Sequence, residues 1–353
     1  MTSVSLGIPF VRSTDFPDPA RPDHPGLLDR FGRVATDLRV SLTDRCNLRC
    51  TYCMPPDGLD WLPSHQALTA DEVIRLVRLA VERLGVQQVR FTGGEPLLRK
   101  GLERILRGIT ATRPRPRVSL TTNGIGLARR AGELARSGLD RVNVSLDTLH
   151  ADRFRAITRR DRHSDVLDGL RTAADAGLEP VKVNAVLMRG VNDDEAVPLL
   201  RFCLQRGYQL RFIEQMPLDA QHEWERGAMV TAAETLAALR AEFRLDPDPA
   251  ERGAAPAERW LVDGGPATVG IIASVTQPFC GDCDRTRLTA DGQLRSCLFS
   301  QGETDLRGPM RAGASDSDLA DLWRGTMWRK TAGHGIDDPD FVQPARPMSA
   351  IGG

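Results

Sequence analysis

Short apolar runs alternate with longer amphipathic segments along most of this chain. The runs have the length and the β-branched content of single strands, and the segments between them carry apolar residues at helical spacing. Strands that alternate with helices predict a parallel sheet with right-handed crossovers, so the predicted fold class is α/β. Six strands are predicted in this part of the chain: residues 38–43, 88–92, 118–122, 141–146, 181–187 and 209–215.

The helical segments have clear start and stop signals. Thr69 and Glu72 form a capping box ahead of the first helix, and Thr231 and Glu234 repeat the motif further along the chain. Glycines stand where four of the helices are expected to end: Gly85, Gly138, Gly177 and Gly207. Together with the strands, these helices predict an open or partly closed β/α barrel.

Unusual polar residues follow the predicted strands. A cysteine triplet comes after the first strand, and residues 92–96 (Thr-Gly-Gly-Glu-Pro) come after the second. Similar polar segments close the third, fourth and sixth strands, at residues 121–124, 145–147 and 214–217. Because the carboxyl ends of the strands form the active-site face of a β/α barrel, we expect these segments to meet in one site.

The pattern changes after the sixth strand. A loop rich in Pro and Ala at residues 246–259 leads into a strand-like run at 268–275, and Asp291-Gly292 is typical of a hairpin turn. Residues 1–33 are rich in Pro, Asp and Arg, which is typical of a mobile arm without a packed fold. We therefore expect an arm at 1–33, a barrel at 34–245 and a C-terminal α+β domain at 246–353.

The charge of the chain is balanced, with 47 lysines and arginines against 47 aspartates and glutamates. This balance favours no nucleic acid or membrane partner. Arginine far outnumbers lysine, and its planar fork suits phosphate groups. No apolar run approaches the roughly 18 residues of a membrane helix, and the N-terminus lacks the basic region of a secretory signal. We therefore expect a cytoplasmic protein.

Six of the seven cysteines form two triplets, and each triplet is one ligand short of a closed metal site. The first has the spacing C-x3-C-x2-C and the second C-x2-C-x13-C: Cys46, Cys50 and Cys53, then Cys280, Cys283 and Cys297. A free coordination position is where a substrate or cofactor can bind. The structural alternative is one composite zinc site with ligands from both triplets and a histidine. The seventh cysteine, Cys203, is expected in the core.

The histidines give the composite zinc site little support. His65, His163 and His334 lack any ligand spacing relative to the cysteines, and we interpret each as a surface residue or as part of the local structure. Two open triplets in one chain indicate chemistry rather than structural metal binding.

Residues 46–53 read Cys-Asn-Leu-Arg-Cys-Thr-Tyr-Cys, which resembles the signature of the radical S-adenosylmethionine (SAM) superfamily. The Gly-Gly-Glu-Pro loop matches as well. The second triplet, the Arg285-Thr286-Arg287 segment after it and the terminal Gly352-Gly353 resemble the GTP 3′,8-cyclase family of that superfamily. The similarity runs from about Arg33 to the last residue. It implies a partial (β/α)6 barrel closed by a C-terminal domain that carries a second iron–sulfur cluster.

The resemblance implies a lyase that begins molybdenum cofactor (molybdopterin) biosynthesis. Members of the family bind SAM and two [4Fe–4S] clusters, one on each triplet. A 5′-deoxyadenosyl radical takes the ribose 3′ hydrogen from GTP, and the product is (8S)-3′,8-cyclo-7,8-dihydroguanosine 5′-triphosphate. Such a radical requires a closed cavity, and a barrel mouth provides one.

The resemblance also assigns residues to ligands. Its SAM contacts are Tyr52, Gly94, Ser145 and Met216. Its GTP contacts are Arg39, Arg90, Thr121, Lys182, Arg285, Thr286 and Arg287. Catalytic roles fall to Arg285, Arg287, Gly352 and Gly353, because the terminal glycines are expected to reach the active site beside the two arginines. A glycine at position 94 would also let backbone groups approach the SAM amino group.

The implied partners are GTP as substrate, a flavodoxin- or ferredoxin-like electron donor and the cyclic pyranopterin monophosphate synthase that acts next. The resemblance is also compatible with a homodimer. Two other functions remain open on the sequence. One is a different radical SAM enzyme with an auxiliary cluster, of the peptide-maturase type. The other is a non-enzymatic module that binds two zinc ions.

Overall fold

The computed structural model describes residue 18 and residues 20–352. Six consecutive parallel strands form the barrel wall, close to the positions that the apolar runs predict. They are β3 (Asp37–Ser41), β4 (Gln88–Thr92), β5 (Arg117–Thr122), β6 (Arg141–Ser145), β7 (Lys182–Ala185) and β8 (Gln209–Ile213). Several predicted runs continue past the observed carboxyl ends, because the last residues of those runs turn into the loops above the barrel.

Helices cover the outer face of these strands. They are α1 (Ala70–Leu84), α2 (Leu102–Thr110), α3 (Leu127–Arg136), α4 (Ala151–Thr158), α5 (His163–Asp175), α6 (Ala196–Arg206) and α7 (Ala232–Arg240). Both predicted capping boxes are present, at Thr69 with Glu72 and at Thr231 with Glu234. Gly85 and Gly207 cap α1 and α6 in the left-handed conformation, as predicted. Cys203 is fully buried in the core, which confirms the prediction for that residue.

The C-terminal segment extends the barrel sheet at both edges rather than forming a sheet of its own. Its strands are β9 (Leu245–Pro247), β10 (Glu258–Val262), β11 (Thr268–Ile272), β12 (Arg285–Leu288), β13 (Gln293–Arg295) and β14 (Thr304–Asp305). β11 pairs in parallel with β8, and β12 pairs in parallel with β3, so a twelve-stranded sheet results. Pairing satisfies the backbone groups at both open edges of the six-stranded wall.

Three further helices complete the described C-terminal part: α8 (Arg307–Arg311), α9 (Asp316–Trp328) and α10 (Met348–Ile351). β12 and β13 form the hairpin predicted at Asp291-Gly292. Because β12 runs parallel to β3 with Arg285 opposite Asp37, Cys280 and Cys283 lie near the amino end of β3, whereas the first triplet follows its carboxyl end.

The last part of the expected N-terminal arm is packed, so the prediction of an unpacked arm up to residue 33 is wrong there. β1 (Leu27–Leu28) pairs with β2 (Val34–Ala35), and Leu27 is fully buried. Arg33 forms an ion pair of 2.5 Å with Asp29, and both side chains are buried. This segment packs against α9 because Leu27 covers an apolar face of that helix. Residues 1–17 and 19 lie outside the described residues.

In the part of the chain that the structure describes, no helix has both the length and the apolar character needed to cross a membrane.

Candidate active site

A cavity of about 350 Å³ extends through the barrel, from the loops at the carboxyl ends of its strands to the segment that precedes β12. All six cysteines of the two triplets line it. No three His, Cys, Asp or Glu side chains among residues 18 and 20–352 come close enough together to hold a single metal ion. Each triplet faces the cavity from its own side, the first after the carboxyl end of β3 and the second before β12.

The first triplet lies on the loop after β3. Backbone hydrogen bonds attach this loop to the end of α4. The Thr51 backbone N–H donates to Ile157 at 2.9 Å. On its other side the loop packs on the Gly-Gly segment, where the Gly94 N–H donates to the Thr43 carbonyl at 2.7 Å. A Cβ at Gly94 would lie 2.4 Å from the carbonyl oxygens of Asp44 and Arg45. Glycine is therefore required here by the cysteine loop itself.

Glu95, from the same Gly-Gly-Glu-Pro segment, holds the neighbouring loop in place. Its buried carboxylate accepts hydrogen bonds from Thr122 Oγ1 and the Asn123 N–H, both at 2.7 Å. Burial raises the pKa of Glu95 to about 7. The Asn123 amide in turn faces the Cys46 thiol, with 3.9 Å between Nδ2 and Sγ. The sequence marked this loop, but it did not indicate that Glu95 connects two strand ends.

Asp147 fixes the aromatic ring that precedes the third cysteine. The Tyr52 hydroxyl donates to Asp147 Oδ2 at 2.8 Å, and the Val186 N–H donates to Oδ1 at 2.9 Å. Burial raises the pKa of Asp147 to about 6. Burial likewise raises the pKa of Cys53 to about 12, and it also raises the pKa values of Cys46 and Cys50. The first triplet thus sits in a buried site with acidic neighbours.

The second triplet begins on a single turn of 3-10 helix, Cys280–Asp282, directly before β12. The Lys330 ammonium lies 3.3 Å from the Cys283 Sγ, and Arg285 Nη1 lies 3.4 Å from the same sulfur. Burial acts to raise the pKa of Cys283, but the positive charges of Lys330 and Arg285 outweigh it and lower that pKa. This end of the cavity is cationic.

Arginines from three barrel strands line the cavity between the triplets: Arg39, Arg90 and Arg211. Buried Asp37 lies 3.3 Å from Arg39 and 3.9 Å from Arg90. Burial acts to raise the pKa of Asp37, but the two arginines outweigh it and lower that pKa to about 2. The Nε atoms of Arg39 and Arg90 are buried without a hydrogen-bond partner. A buried excess of cations with unused donors fits an anionic ligand such as a triphosphate.

Most of the residues predicted to contact ligands line this one cavity. They are Tyr52, Gly94, Ser145 and Met216 among the SAM contacts, and Arg39, Arg90, Thr121, Arg285 and Arg287 among the GTP contacts. The structure thus brings together side chains from both triplets, five barrel strands or their loops, and β12.

Two predicted GTP contacts lie elsewhere. Thr286 is buried on the outer face of β12, where its Oγ1 accepts a hydrogen bond from Trp323 at 3.0 Å. Because side chains alternate along a strand, Thr286 points away from the cavity that Arg285 and Arg287 line. Lys182 is half-buried two residues before the cavity-lining Asn184 on the same face of β7. Burial and the nearby Arg211 lower the pKa of Lys182 to about 6.

The C-terminal tail enters the cavity region. The carbonyl oxygen of Gly352 accepts a hydrogen bond from the buried Arg287 guanidinium. A Cβ at Gly352 would lie 2.7 Å from Thr92 Cγ2 and 3.1 Å from Ser41 Cβ, and its φ is +74°. The tail therefore passes against the ends of β3 and β4 at a point where only glycine fits. Gly353 lies outside the described residues.

The histidines take the local roles expected of them. His65 is exposed. His163 is buried with its Nε2 3.3 Å from the Thr148 carbonyl. His334 reaches the cavity wall, but its two ring nitrogens are engaged with the Ser274 carbonyl and the Ile336 N–H.

Two consecutive parts of the chain each match a described family. Residues 40–203 match the Radical SAM superfamily, and residues 208–336 match Molybdenum Cofactor Synthesis C. A curated relative from Mycobacterium marinum, named GTP 3′,8-cyclase, is 63% identical over 100% of both chains. A relative of the same name from Streptomyces coelicolor is 65% identical over 93% of this chain and 96% of its own.

This chain belongs to the GTP 3′,8-cyclase family. Its fold is also found in the crystal structure of Streptococcus suis SuiB bound to S-adenosylmethionine, with a TM-score of 0.58 and 14% identity. That comparison covers 82% of this chain and 65% of the SuiB chain, and it concerns the fold alone. The predicted α/β radical SAM architecture is thereby confirmed.

Membership of the GTP 3′,8-cyclase family gives a chemical identity to the two open triplets. The radical SAM family uses a [4Fe–4S] cluster together with SAM, and GTP 3′,8-cyclases carry an additional C-terminal cluster. The donor sets fit these groups, because each triplet presents three thiols to the cavity.

Two cavity residues were missed at the sequence level. Asp147 was part of a marked strand end, but its bond to Tyr52 joins residues 95 positions apart. Arg211 alternates with Ile213 along β8, and both line the cavity. Because side chains alternate along a strand, this spacing could have identified Arg211 from the sequence.

Proposed function

We infer that this chain converts GTP to (8S)-3′,8-cyclo-7,8-dihydroguanosine 5′-triphosphate, the first step of molybdenum cofactor biosynthesis. One observation carries the inference: two open cysteine triplets face the same cavity, with unpaired buried arginine donors between them. A cofactor and a polyanionic substrate would therefore meet inside a single enclosed space. The curated relatives of the same length are named for this reaction.

The first cluster would be held by Cys46, Cys50 and Cys53, and the second by Cys280, Cys283 and Cys297. When bound, the first cluster and SAM supply the 5′-deoxyadenosyl radical that removes the ribose 3′ hydrogen. We assign SAM binding to Tyr52, Gly94, Ser145 and Met216. Support comes from the acidic neighbours of this end of the cavity, because SAM carries a positive sulfonium and an ammonium group.

The arginines of the barrel would bind the triphosphate. Arg39 and Arg90 have buried Nε donors that no protein group uses, and each can offer a two-pronged contact to a phosphate. Arg211 adds a third guanidinium, and burial together with Arg141 lowers its pKa to about 10. A bound anion would relieve the mutual repulsion of these cations, so substrate binding and barrel electrostatics favour each other.

The groups near the second triplet would orient the nucleotide. Arg285 stacks on the Phe279 ring at 4.9 Å and approaches the Cys283 thiol, which limits its freedom. Arg287 bonds the Gly352 carbonyl. We propose that Arg285, Arg287, Gly352 and Gly353 hold the substrate in its reactive orientation and exclude water. Lys182 would contact the far end of the triphosphate, whereas Thr286 would act only through its bond to Trp323.

The remaining assignments are proposals about the setting of the reaction. The electron would come from a flavodoxin- or ferredoxin-like donor, and cyclic pyranopterin monophosphate synthase would consume the product. We also propose a cytoplasmic location and allow a homodimer.

The test is product identification. The protein is reconstituted anaerobically with iron and sulfide and incubated with SAM, dithionite and each of GTP, ATP, CTP and UTP. We expect 5′-deoxyadenosine and a cyclised nucleotide from GTP alone. A mixture without SAM and one without dithionite serve as controls.

Two results would overturn the inference. Zinc in place of iron and acid-labile sulfide in the anaerobically purified protein, before reconstitution, would indicate the binding module. SAM cleavage that is indifferent to all four nucleotides would indicate another radical SAM enzyme, such as a peptide maturase.

A further inference from the structure

Lys330 lies just beyond α9, at the back of the second cysteine triplet. Its side chain is only 4% exposed. Lysine occurs at three positions in the whole chain, against 44 arginines, so a buried lysine is unusual here. Arginine presents a flat fork, whereas lysine presents a compact point charge with three donors. The surroundings of Lys330 suit the compact ammonium of a lysine.

All three N–H groups of the Lys330 ammonium have an acceptor. The Cys283 carbonyl lies at 2.9 Å, the Arg285 carbonyl at 3.0 Å and the Cys283 Sγ at 3.3 Å. The ammonium therefore holds the main chain on both sides of residue 284 and the thiol at once. Cys283 is thus fixed in both its backbone and its sulfur by one side chain.

Within the described residues, the charge of Lys330 has no carboxylate partner. No Asp or Glu oxygen in the described part of the chain lies within the 4.0 Å of an ion pair with it. A second cation, Arg285, contacts the same sulfur through Nη1 at 3.4 Å. An isolated buried charge is costly, so it needs a negative partner. The Cys283 sulfur, as a thiolate bound to iron, is the group in position to supply that charge.

We propose that Lys330 is the fixed counter-ion of the second iron–sulfur cluster and raises its reduction potential. The proposal rests on the proposed function in one respect, since it requires a cluster on the second triplet. Hydrogen bonds to a cluster sulfur and the net charge around it are among the determinants of its potential. A buried positive charge stabilises the reduced cluster more than the oxidised one, because one-electron reduction adds a negative charge nearby.

At the first triplet, Arg49 donates to the Cys46 carbonyl at 2.8 Å, but within the described residues no lysine or arginine donates a hydrogen bond to one of the three sulfurs. The side chains that do approach these sulfurs are neutral, as is the Asn123 amide, whose Nδ2 lies 3.9 Å from the Cys46 Sγ. Lys330 therefore gives the second cluster an electrostatic environment of its own, and its removal should leave the first cluster unaffected.

The experiment isolates the second cluster in a protein whose Cys46, Cys50 and Cys53 are changed to alanine. Lys330→Met, Lys330→Arg and Lys100→Met are compared in this background. Lys100 is exposed, so it is the matched control for the loss of a lysine. Dithionite supplies the electron, and electron paramagnetic resonance of the reduced cluster follows a redox titration.

Lys330→Met should raise the oxidised-to-reduced ratio at a fixed potential at least tenfold, which corresponds to a midpoint about 59 mV lower for one electron. Lys330→Arg keeps the charge and should shift the ratio by less than about threefold, and Lys100→Met should leave it unchanged. An unchanged midpoint in Lys330→Met with the cluster retained would overturn the proposal.

Loss of the cluster is also informative. Iron analysis that shows loss in Lys330→Met but retention in Lys330→Arg would support a counter-ion role. Loss in both variants would show that the shape of the lysine matters rather than its charge, and would overturn the proposal. If the background protein with native Lys330 binds no cluster, both the proposed function and the present proposal fail. A normal cluster with no effect of Lys330 overturns the present proposal alone.

Discussion

The two cysteine triplets face one cavity from surroundings that differ in charge. Around the first, burial raises the pKa values of all three cysteines, Glu95 and Asp147 raise those of Cys46 and Cys50 further, and Arg49 opposes the rise at Cys46. Around the second, Lys330 and Arg285 lie beside the Cys283 sulfur. Arg33 adds a bond of 2.6 Å to the Cys280 carbonyl.

The difference shows how one cavity can select two ligands of opposite charge. SAM is cationic at its sulfonium and suits the acidic end. A nucleoside triphosphate suits the cationic end and the arginines of the barrel. Electrostatic complementarity of this kind contributes to specificity as well as to affinity. We therefore expect the same three-thiol motif to serve a different ligand at each end of the cavity.

The largest effect is expected from the cysteines themselves. Replacing Cys46, Cys50 or Cys53 with alanine should abolish SAM cleavage, because only this triplet has the SAM-type spacing. Cys283→Ala should leave some uncoupled cleavage to 5′-deoxyadenosine but give no cyclised nucleotide. Chromatography of both products measures the split.

The buried Cys203 is the matched control, since its replacement with alanine removes a thiol but no cluster ligand. If Cys283→Ala with an intact first cluster cyclised GTP at the native rate, the separation of duties between the triplets would be wrong.

The next effect concerns the barrel cations. Arg39→Ala should weaken GTP binding by roughly 1.5–3 kcal/mol, the usual range for a hydrogen bond to a charged group. SAM affinity should change little, because Arg39 belongs to the group of barrel arginines and not to the surroundings of the first triplet. Calorimetry with each ligand measures the two affinities, and Arg83→Ala on the exposed face of α1 is the control. Equal losses for SAM and GTP would indicate a collapsed cavity instead.

The tail is expected to have a somewhat smaller effect, and on turnover. Deletion of Gly352 and Gly353 should lower the rate at least about tenfold, or about 1.4 kcal/mol in the barrier, while both clusters and GTP affinity remain. Gly352→Ala should act in the same direction because its Cβ would collide with Thr92. Gly302→Ala is the control, since a Cβ there meets nothing within 4 Å.

A short peptide ending in Gly-Gly should restore part of the activity of the truncated protein. Full turnover in that protein, measured as product per SAM consumed, would show instead that the tail has no role in the reaction.

The smallest expected effect is the uptake of a proton when GTP binds. Burial first, and then Arg211, lower the pKa of Lys182 from 10.5 to about 6, so this lysine is largely neutral at pH 8 before substrate binds. A bound triphosphate favours the ammonium, so GTP binding should take up as much as about one proton at Lys182. Its contribution to affinity should therefore decline as the pH rises above about 6.

Calorimetry in two buffers of different ionisation enthalpy measures this uptake. Subtracting the uptake of the Lys182→Met variant removes the protons that the nucleotide itself takes up. Identical uptake in the two proteins would place Lys182 outside the phosphate site.

Local patterns in the sequence were sufficient for the barrel and for its chemistry. Strand and helix periodicity, the capping boxes at Thr69 and Thr231 and the two cysteine spacings all depend on residues within about one element of each other. The family resemblance was carried by such motifs too, and the relatives confirm it. Such short-range features can be predicted from the sequence because the interactions that cause them involve residues only a few positions apart.

The tertiary structure decided which side of each element meets the ligands and what surrounds the triplets. Pairing of β12 with β3 turns Arg285 and Arg287 towards the cavity and Thr286 towards Trp323. Lys330 approaches Cys283 across 47 residues, and the packing of Leu27 shortens the expected arm. These contacts join segments far apart in the chain, and the desolvation and charge that shift each pKa exist only after those segments have packed together.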